Sequence, residues 1–229
     1  AIIFLPARSF AGIVSVEAIS VSSAEVLGNG LSLSLGMSSD GRYVNFTSGA
    51  DNIVAGDINA LEDVFLRDRT LGITTRVSVG DGEEEGDGSS LLGNITSDGR
   101  YAVFISEASN LVSDDTNAAA DIFIRDTLSG TTTRLNLNES DEEANNTSYS
   151  PMINLDGTHV AFSSDATNLV SGDTNGVVDV FIVSITTGDI ERISVSSSEF
   201  EGNLGSGNIG LLYMSEDARY VVFDSEASN

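Results

Sequence analysis

Asp98-Gly99-Arg100-Tyr101-Ala102-Val103-Phe104 decides the fold, because the chain says it more than once. The phrase opens as Asp40-Gly41-Arg42-Tyr43, returns as Asp156-Gly157-Thr158-His159, and returns again as Asp217-Ala218-Arg219-Tyr220, at spacings of 58, 58 and 61 residues. Each copy runs on into an apolar stretch ending at Phe46, Phe104, Phe162 or Phe223. A second aromatic series, Phe65, Phe123 and Phe181, follows the first three of these at a constant distance of 19 residues. A fixed period of this length marks a protein built by stacking one supersecondary unit.

Each unit reads as four short strands. Strand A precedes the Asp-Gly pair, as in Leu33-Ser-Leu-Gly-Met37, and the pair itself predicts a two-residue hairpin with positive φ at both central positions. Strand B follows, as in Tyr101 to Ile105. An acidic loop leads to strand C, Asp121-Ile-Phe-Ile-Arg125, and a Gly- and Thr-bearing turn leads to strand D, Thr132 to Asn136. The B and C strands are continuously apolar rather than alternating, which predicts sheets covered on both faces. The expected architecture is therefore all-β: a β-propeller of about 58-residue four-stranded blades, with an open linear array of the same units as the alternative. Residues 1–229 form one repeat domain holding four blade equivalents. Residues 23–80, 81–138 and 139–198 are the three whole repeats, 1–22 supply strands C and D of a split blade, and 199–229 supply its strands A and B. The two halves sum to one blade, so strand B near Val221 is expected to pair with strand C near Phe4. Completion between copies, in a ring or filament, is the alternative.

The phrases Asp-Gly-Arg-Tyr-x-x-Phe, Ser-Asn-Leu-Val-x-x-Asp-Thr-Asn and Asp-Ile-Phe-Ile-Arg-Asp resemble the repeats of TolB-like (WD40-like) β-propellers. The resemblance covers nearly the whole chain. It implies a propeller and an exported location: secreted, extracellular or cell-surface, or periplasmic. It names no substrate, because the family includes binding modules, scaffolds and propellers attached to peptidases.

The loops between strands B and C carry the sharpest chemical signal. Asp57, Asn59 and Asp63 recur as Asp115, Asn117 and Asp121 and as Asp173, Asn175 and Asp179, always at loop positions one, three and seven. Calcium takes six to eight oxygens, and two carboxylates with an amide oxygen per loop supply a suitable start. Calcium is therefore the expected cofactor, with Asn52, Asn110 and Asn168 as further candidate ligands. An EF-hand is the wrong description, because its position-six Gly is replaced by Glu62, Ala120 and Val178. Asp68 and Asp126, at position twelve, lie five residues along strand C, too far to share the ion. The competing explanation is that Asp and Asn merely fold the loop through bonds to its backbone.

Composition sets the outer limits. Thirty-five acids against ten basic residues, all of them Arg, give a net charge of −25, which repels nucleic acid and anionic membrane and attracts cations. No apolar run approaches the length of a membrane span, so no membrane insertion is expected. Ala1 to Leu5 is apolar but lacks the basic flank of a signal peptide. There is no Cys, which excludes thiolate chemistry. His159, the only His, occupies the slot held by Tyr43, Tyr101 and Tyr220, so it reads as a packing ring rather than a catalytic base. The acids follow the repeat instead of standing out from it, and no enzyme activity is expected. The loops before strand A (Asp81, Glu83, Glu84, Glu85 and Asp87; Glu139, Asp141, Glu142 and Glu143; Glu199 and Glu201) should share a face with the B–C loops. Arg42, Arg69, Arg100 and Arg219 should lie opposite. The expectation is a calcium-binding structural or scaffolding propeller. Its alternatives are a peptide- or glycan-binding module, a filament subunit self-associating through terminal strands or polarised faces, and the propeller part of a larger enzyme.

Overall fold

The computed structural model describes residues 3–4, 17–207, 210 and 212–229. The described strands lie in five antiparallel sheets. The first pairs β1 (Ile3–Phe4) with β2 (Glu17–Ala18). Three four-stranded meanders follow: β3 (Ser32–Met37), β4 (Tyr43–Ser48), β5 (Asp63–Asp68) and β6 (Ile73–Arg76); β7 (Ser90–Ile95), β8 (Tyr101–Ser106), β9 (Asp121–Asp126) and β10 (Thr131–Arg134); β11 (Ser148–Ile153), β12 (His159–Ser164), β13 (Asp179–Ser184) and β14 (Ile190–Arg192). The last sheet pairs β15 (Tyr213–Met214) with β16 (Val221–Val222).

The continuous apolar runs have the expected cause. Ala102 and Phe104 on β8 pack with Val64, Leu66 and Val77 of the preceding sheet, whereas Val103 and Ile105 pack with Val160, Phe162 and Phe181 of the following one. Both faces of each central strand are thus interior. Phe46 and Phe65, Phe104 and Phe123, and Phe162 and Phe181 are cross-strand partners, stacked at 5.4, 5.8 and 5.7 Å. Burying each ring contributes about 1.5–3 kcal/mol, and each stack adds about 0.5–1.5 kcal/mol. Successive four-stranded antiparallel sheets packed face to face are the construction of propeller blades.

The Asp-Gly turn is wider than a two-residue hairpin. The Ser38 N–H donates to Tyr43 C=O and the Gly41 N–H to Ser38 C=O, each at 2.9 Å, so residues 38–42 form the loop. Only its second special position is left-handed: φ is +73° at Gly41, +76° at Gly99, +69° at Gly157 and +56° at Ala218. The Asp serves as an acceptor instead. Asp40 receives the Ser38 hydroxyl at 2.6 Å and the Arg42 N–H at 2.9 Å, and these bonds hold its carboxyl below the usual range. Ala218 carries the Cβ penalty that Gly escapes in the other copies. Ala218→Gly should therefore raise unfolding free energy by about 0.5–1 kcal/mol, measured by urea denaturation. A loss of stability would show that the Ala methyl is needed where it stands.

A second feature couples this turn to the sheet before it. The Tyr43 ring packs over Gly99 and the Tyr101 ring over Gly157. A Cβ at these positions would lie 2.5 Å from the Tyr43 ring and 3.0 Å from the Tyr101 ring. In the third seam the corresponding pair is His159 and Ala218, which line one hollow together. The smaller ring and the larger turn residue change together.

Closure of the two end sheets onto each other is not found. Among the described residues β1 pairs only with β2 and β16 only with β15, and no apolar cluster joins the first sheet to the last. Each sheet is closed by hairpins between neighbours in sequence, which carry a small loop-closure cost, whereas the β16–β1 pairing would have to join the far ends of the chain. Ile2 and Leu5, expected in the same strand as Phe4, lie outside the described residues.

Candidate functional site: a repeated carboxylate–arginine cluster

In each whole repeat the B–C loop folds around its Asn. Asn59 Oδ1 accepts the Leu61 N–H at 2.8 Å, Asn117 Oδ1 the Ala119 N–H at 2.8 Å and Asn175 Oδ1 the Val177 N–H at 3.0 Å. The intervening residue is left-handed in all three copies: Ala60 at φ +58°, Ala118 at +53° and Gly176 at +64°. The amide nitrogen of each Asn donates to the second Asp of its own loop and to a backbone carbonyl of the following D–A loop, Gly86, Ala144 or Gly202. These three Asn residues thus act as loop formers, as the Asx-turn explanation requires.

Asn52, Asn110 and Asn168 also serve backbone. Their side-chain oxygens accept the N–H groups of Asn29, Asp87 and Asn145, and their amides donate to the carbonyls of Leu27, Glu85 and Glu143. The D–A loop at residues 80–88 is thereby held by Asn59 from one blade and by Asn110 from the next. Of the D–A loop acids expected to share the face of the B–C loops, Glu85, Glu143 and Glu201 reach those loops, whereas Asp81 and Glu83 bond Thr132 and Arg125 towards the C–D turn of the next blade.

The carboxylates of each loop converge. Asp63, Asp121 and Asp179 are fully buried, and the side chains of Asp57, Asp115 and Asp173 retain only 3%, 4% and 1% of their exposure. A third carboxylate arrives from the D–A loop: Glu85, Glu143 or Glu201. Glu85 is fixed by the Ile58 N–H at 3.0 Å, Glu143 by the Thr116 N–H at 2.9 Å and Glu201 by the Thr174 N–H at 3.0 Å. Oxygens of Asp57, Asp63 and Glu85 all lie within 4.8 Å of one another.

An arginine from strand D stands among them. Arg76 Nη1 is 3.6 Å from Asp57 and 2.9 Å from Asp63, and it also bonds Glu85. Arg134 Nη1 lies 3.4, 3.5 and 3.0 Å from Asp115, Asp121 and Glu143. Arg192 Nη1 lies 3.4, 3.4 and 3.0 Å from Asp173, Asp179 and Glu201. The second guanidinium nitrogen reaches the carbonyls of Gly56, Asp114 and Gly172.

One guanidinium cannot neutralise three carboxylates, and the burial of the cluster adds to that excess in setting its titration behaviour. Burial first, and then the charge of the neighbouring Asp, push Asp57, Asp115 and Asp173 up to about 6. Burial acts in the same direction on Glu85 and Glu143. It is outweighed there by hydrogen bonds from Arg76 and the Ile58 N–H in one case and from Thr116 in the other, and both carboxyls sit below their ordinary value.

The loop spacing singles out both Asp residues of each cluster, and the structure brings each pair to one arginine. It did not include the Arg and Glu members in the metal set, although Arg76, Arg134 and Arg192, and Glu85, Glu143 and Glu201, each recur at the 58-residue period. That period was the available signal. Asp68 and Asp126 lie at the opposite end of the blades, bonded to Arg42 and Arg100 at 2.7 Å, well away from the cluster. His159 is half-buried and shares a 2.9 Å hydrogen bond with Thr158 through Nδ1.

No family model matches the chain, and no curated protein matches it in sequence. Solved structures do resemble it. TolB from Acinetobacter baumannii is 19% identical with a TM-score of 0.45, covering 87% of this chain and 44% of its own. The β-propeller domain of the Trilobed protease from Pyrococcus furiosus is 13% identical with a TM-score of 0.46, covering 72% and 42%. Oligogalacturonate lyase in complex with manganese is 14% identical with a TM-score of 0.48, covering 85% and 45%. The likeness is one of fold. The matched part of this chain spans less than half the length of each of these three proteins, and at these scores the propeller assignment stands on the blades themselves.

Proposed function

We propose that the chain is a non-catalytic, structural β-propeller module working outside the cytoplasm, and that calcium stabilises its acidic face. The ligands would be Asp57, Asp63 and Glu85; Asp115, Asp121 and Glu143; and Asp173, Asp179 and Glu201. The observation that carries this reading is the charge count at each cluster. Two almost wholly buried Asp carboxylates and a partly exposed Glu meet one guanidinium, and burial together with the charge of its neighbouring Asp raises one Asp of each trio to about 6. A divalent cation supplies the missing positive charge, and hard carboxylate oxygens are the donors calcium prefers. The carbonyls of Gly56, Asp114 and Gly172, now engaged by the Arg side chains, are further oxygens of the same kind. The recurrence of every member at the blade period supports an architectural role, because a catalytic centre would be unique. The net charge of −25 suits a cation-rich surrounding.

The test is thermal unfolding with and without calcium across pH, accompanied by calorimetric titration. Calcium at a hundred times its dissociation constant should stabilise by about 2.7 kcal/mol per independent site. Chelation should therefore lower the melting temperature. The pH dependence should change sign with the metal. In chelator, the Asp carboxyls raised to about 6 bind protons in the folded state that they do not bind unfolded. Their contribution is thus a stabilisation present near pH 4 and lost as pH rises through 6. With calcium bound the ligands must be ionised, so acidification through the same range should release the metal and destabilise. No heat of calcium binding and superimposable melting curves would overturn the proposal.

A further inference from the structure

Each carboxylate–arginine cluster draws its acids from two loops. Asp57 and Asp63 belong to a B–C loop, whereas Glu85 belongs to the D–A loop that leads into the next blade, and Asp115, Asp121 and Glu143 divide in the same way. Glu85 is the least buried of its trio, with 16% of its side chain exposed against 3% and 0% for the two Asp residues. It is therefore the member with room to move when the charge of the cluster changes. The clusters are also short of partners. Among the described residues, the buried Nε of Arg76, Arg134 and Arg192 makes no hydrogen bond. Both carboxylate oxygens of Asp173, a side chain only 1% exposed, accept none, and Arg192 Nη1 stands 3.4 Å away. A buried carboxylate without a donor is costly, and it points to a cation that would complete it.

The loop that brings Glu85 is fastened to the following blade. Asn110 holds it at two points: Nδ2 donates to the Glu85 C=O at 2.9 Å, and Oδ1 accepts the Asp87 N–H at 3.0 Å. Asp87 in turn accepts the Ser109 N–H at 2.7 Å and the Ser109 hydroxyl at 2.9 Å. Asn110 opens the stretch that reaches, five residues later, Asp115 of the second cluster. The joint recurs one blade on. Asn168 donates to the Glu143 C=O and accepts the Asn145 N–H, both at 2.9 Å, and it lies five residues before Asp173. The first D–A loop isolates what the Glu adds. Asn52 grips the Leu27 C=O and the Asn29 N–H in the same way, but Leu27 is 57% exposed and brings no carboxylate. The Asn joint is thus general to the blades, and the Glu ties it to a charged cluster.

We propose that the clusters are coupled in series, so that calcium bound at one raises the affinity of the next for calcium. This rests on the calcium reading above and adds the regulation of the same sites. An ion at the first cluster clamps Glu85, and with it the backbone that Asn110 holds. The segment from Asn110 to Asp115 is then ordered before an ion reaches the second cluster, and that ion meets a smaller ordering cost. Hydrogen-bonded loops are the kind of contiguous network that carries such coupling. Repulsion between the bound ions acts the other way, and salt weakens it. By linkage the effect is reciprocal: loading the second site tightens the first by the same factor.

The experiment is a calcium titration of the full chain followed by NMR at physiological salt. The Ile58 and Thr116 N–H groups, which donate to Glu85 and Glu143, report the first and second clusters separately. Asp57→Asn cripples the first site without touching the Asn110 joint. The Thr116 signal should then need roughly fivefold more calcium, or a greater excess, to reach its midpoint. In an Asn110→Ala background, where the proposed ligands are intact but the joint is gone, adding Asp57→Asn should leave the Thr116 midpoint where it was. A midpoint that Asp57→Asn alone leaves unchanged or lowers would overturn the coupling while the calcium reading stands, and this comparison decides even if Asn110→Ala fails to fold. A midpoint that moves as far in the Asn110→Ala background as in the parent would also overturn it, since the coupling would then take another route. Calcium that moves neither signal in the parent would sink the calcium reading itself, and the coupling with it.

Discussion

Gly99→Ala should destabilise the protein by about 1.5–4 kcal/mol, the sum of a left-handed Ala at about 0.5–1 kcal/mol net and an overpacked seam at about 1–3 kcal/mol. The backbone term comes from φ of +76°. The packing term comes from the new Cβ, which would lie 2.5 Å from the Tyr43 ring, and that ring is held by its place at the seam between two sheets. Gly41→Ala is the control. Its φ of +73° is nearly the same, but its nearest neighbour is the end of Arg69 at 3.5 Å, so only the backbone term applies. The third seam shows how the packing term is relieved, since Ala218 there accompanies His159. Tyr43→His should therefore rescue Gly99→Ala in part. A double-mutant cycle by urea denaturation reads this as a favourable coupling of about 0.5 kcal/mol or more. Equal costs for Gly41→Ala and Gly99→Ala would show that the Tyr ring yields freely.

Arg134→Met should cost about 3–5 kcal/mol in the absence of calcium, the range for stripping one partner from a buried ion cluster. The methionine roughly preserves the volume. What it removes is the only cation near Asp115, Asp121 and Glu143, among the described residues. Calcium should then restore more stability to the variant than it adds to the parent, because the cluster's unbalanced charge has grown from two to three. A variant as stable as the parent would mean that the carboxylates take up protons instead. A large loss that calcium leaves untouched would separate the arginine's structural role from any metal role.

These two expectations mark different depths of legibility. The blades were readable because their cause is periodic: Phe46 with Phe65, and the corresponding pairs 58 residues on, recur with no gap in register, and an interior strand must be apolar on both faces. The Asp pairs of the loops were readable for the same reason. The role of Asn59, Asn117 and Asn175 was not, because the same amide can offer oxygen to a metal or to its own backbone, and only the loop's path shows which N–H it meets. The Arg and Glu members belong to strand D and the D–A loop. They sit 13 and 22 residues beyond the Asp that they join, and nothing local relates them to it. The Asp-Gly turn fell between these cases: the need for positive φ at its second position was legible, but the loop length was set by the Ser38–Tyr43 pairing across it.

By itself the sequence determined the repeat, the four-strand unit and the two-sided burial of strands B and C. All of these follow from periodicity and the alternation of side chains along a strand. Tertiary structure alone decided that an arginine stands among each trio of carboxylates, that Gly99 answers to Tyr43 and Ala218 to His159, and that β1 and β16 do not pair among the described residues. Each of these depends on which groups from separate loops or sheets arrive within a few ångströms. Such an arrival is fixed by the packing of neighbouring blades, and no residue type or local spacing carries it.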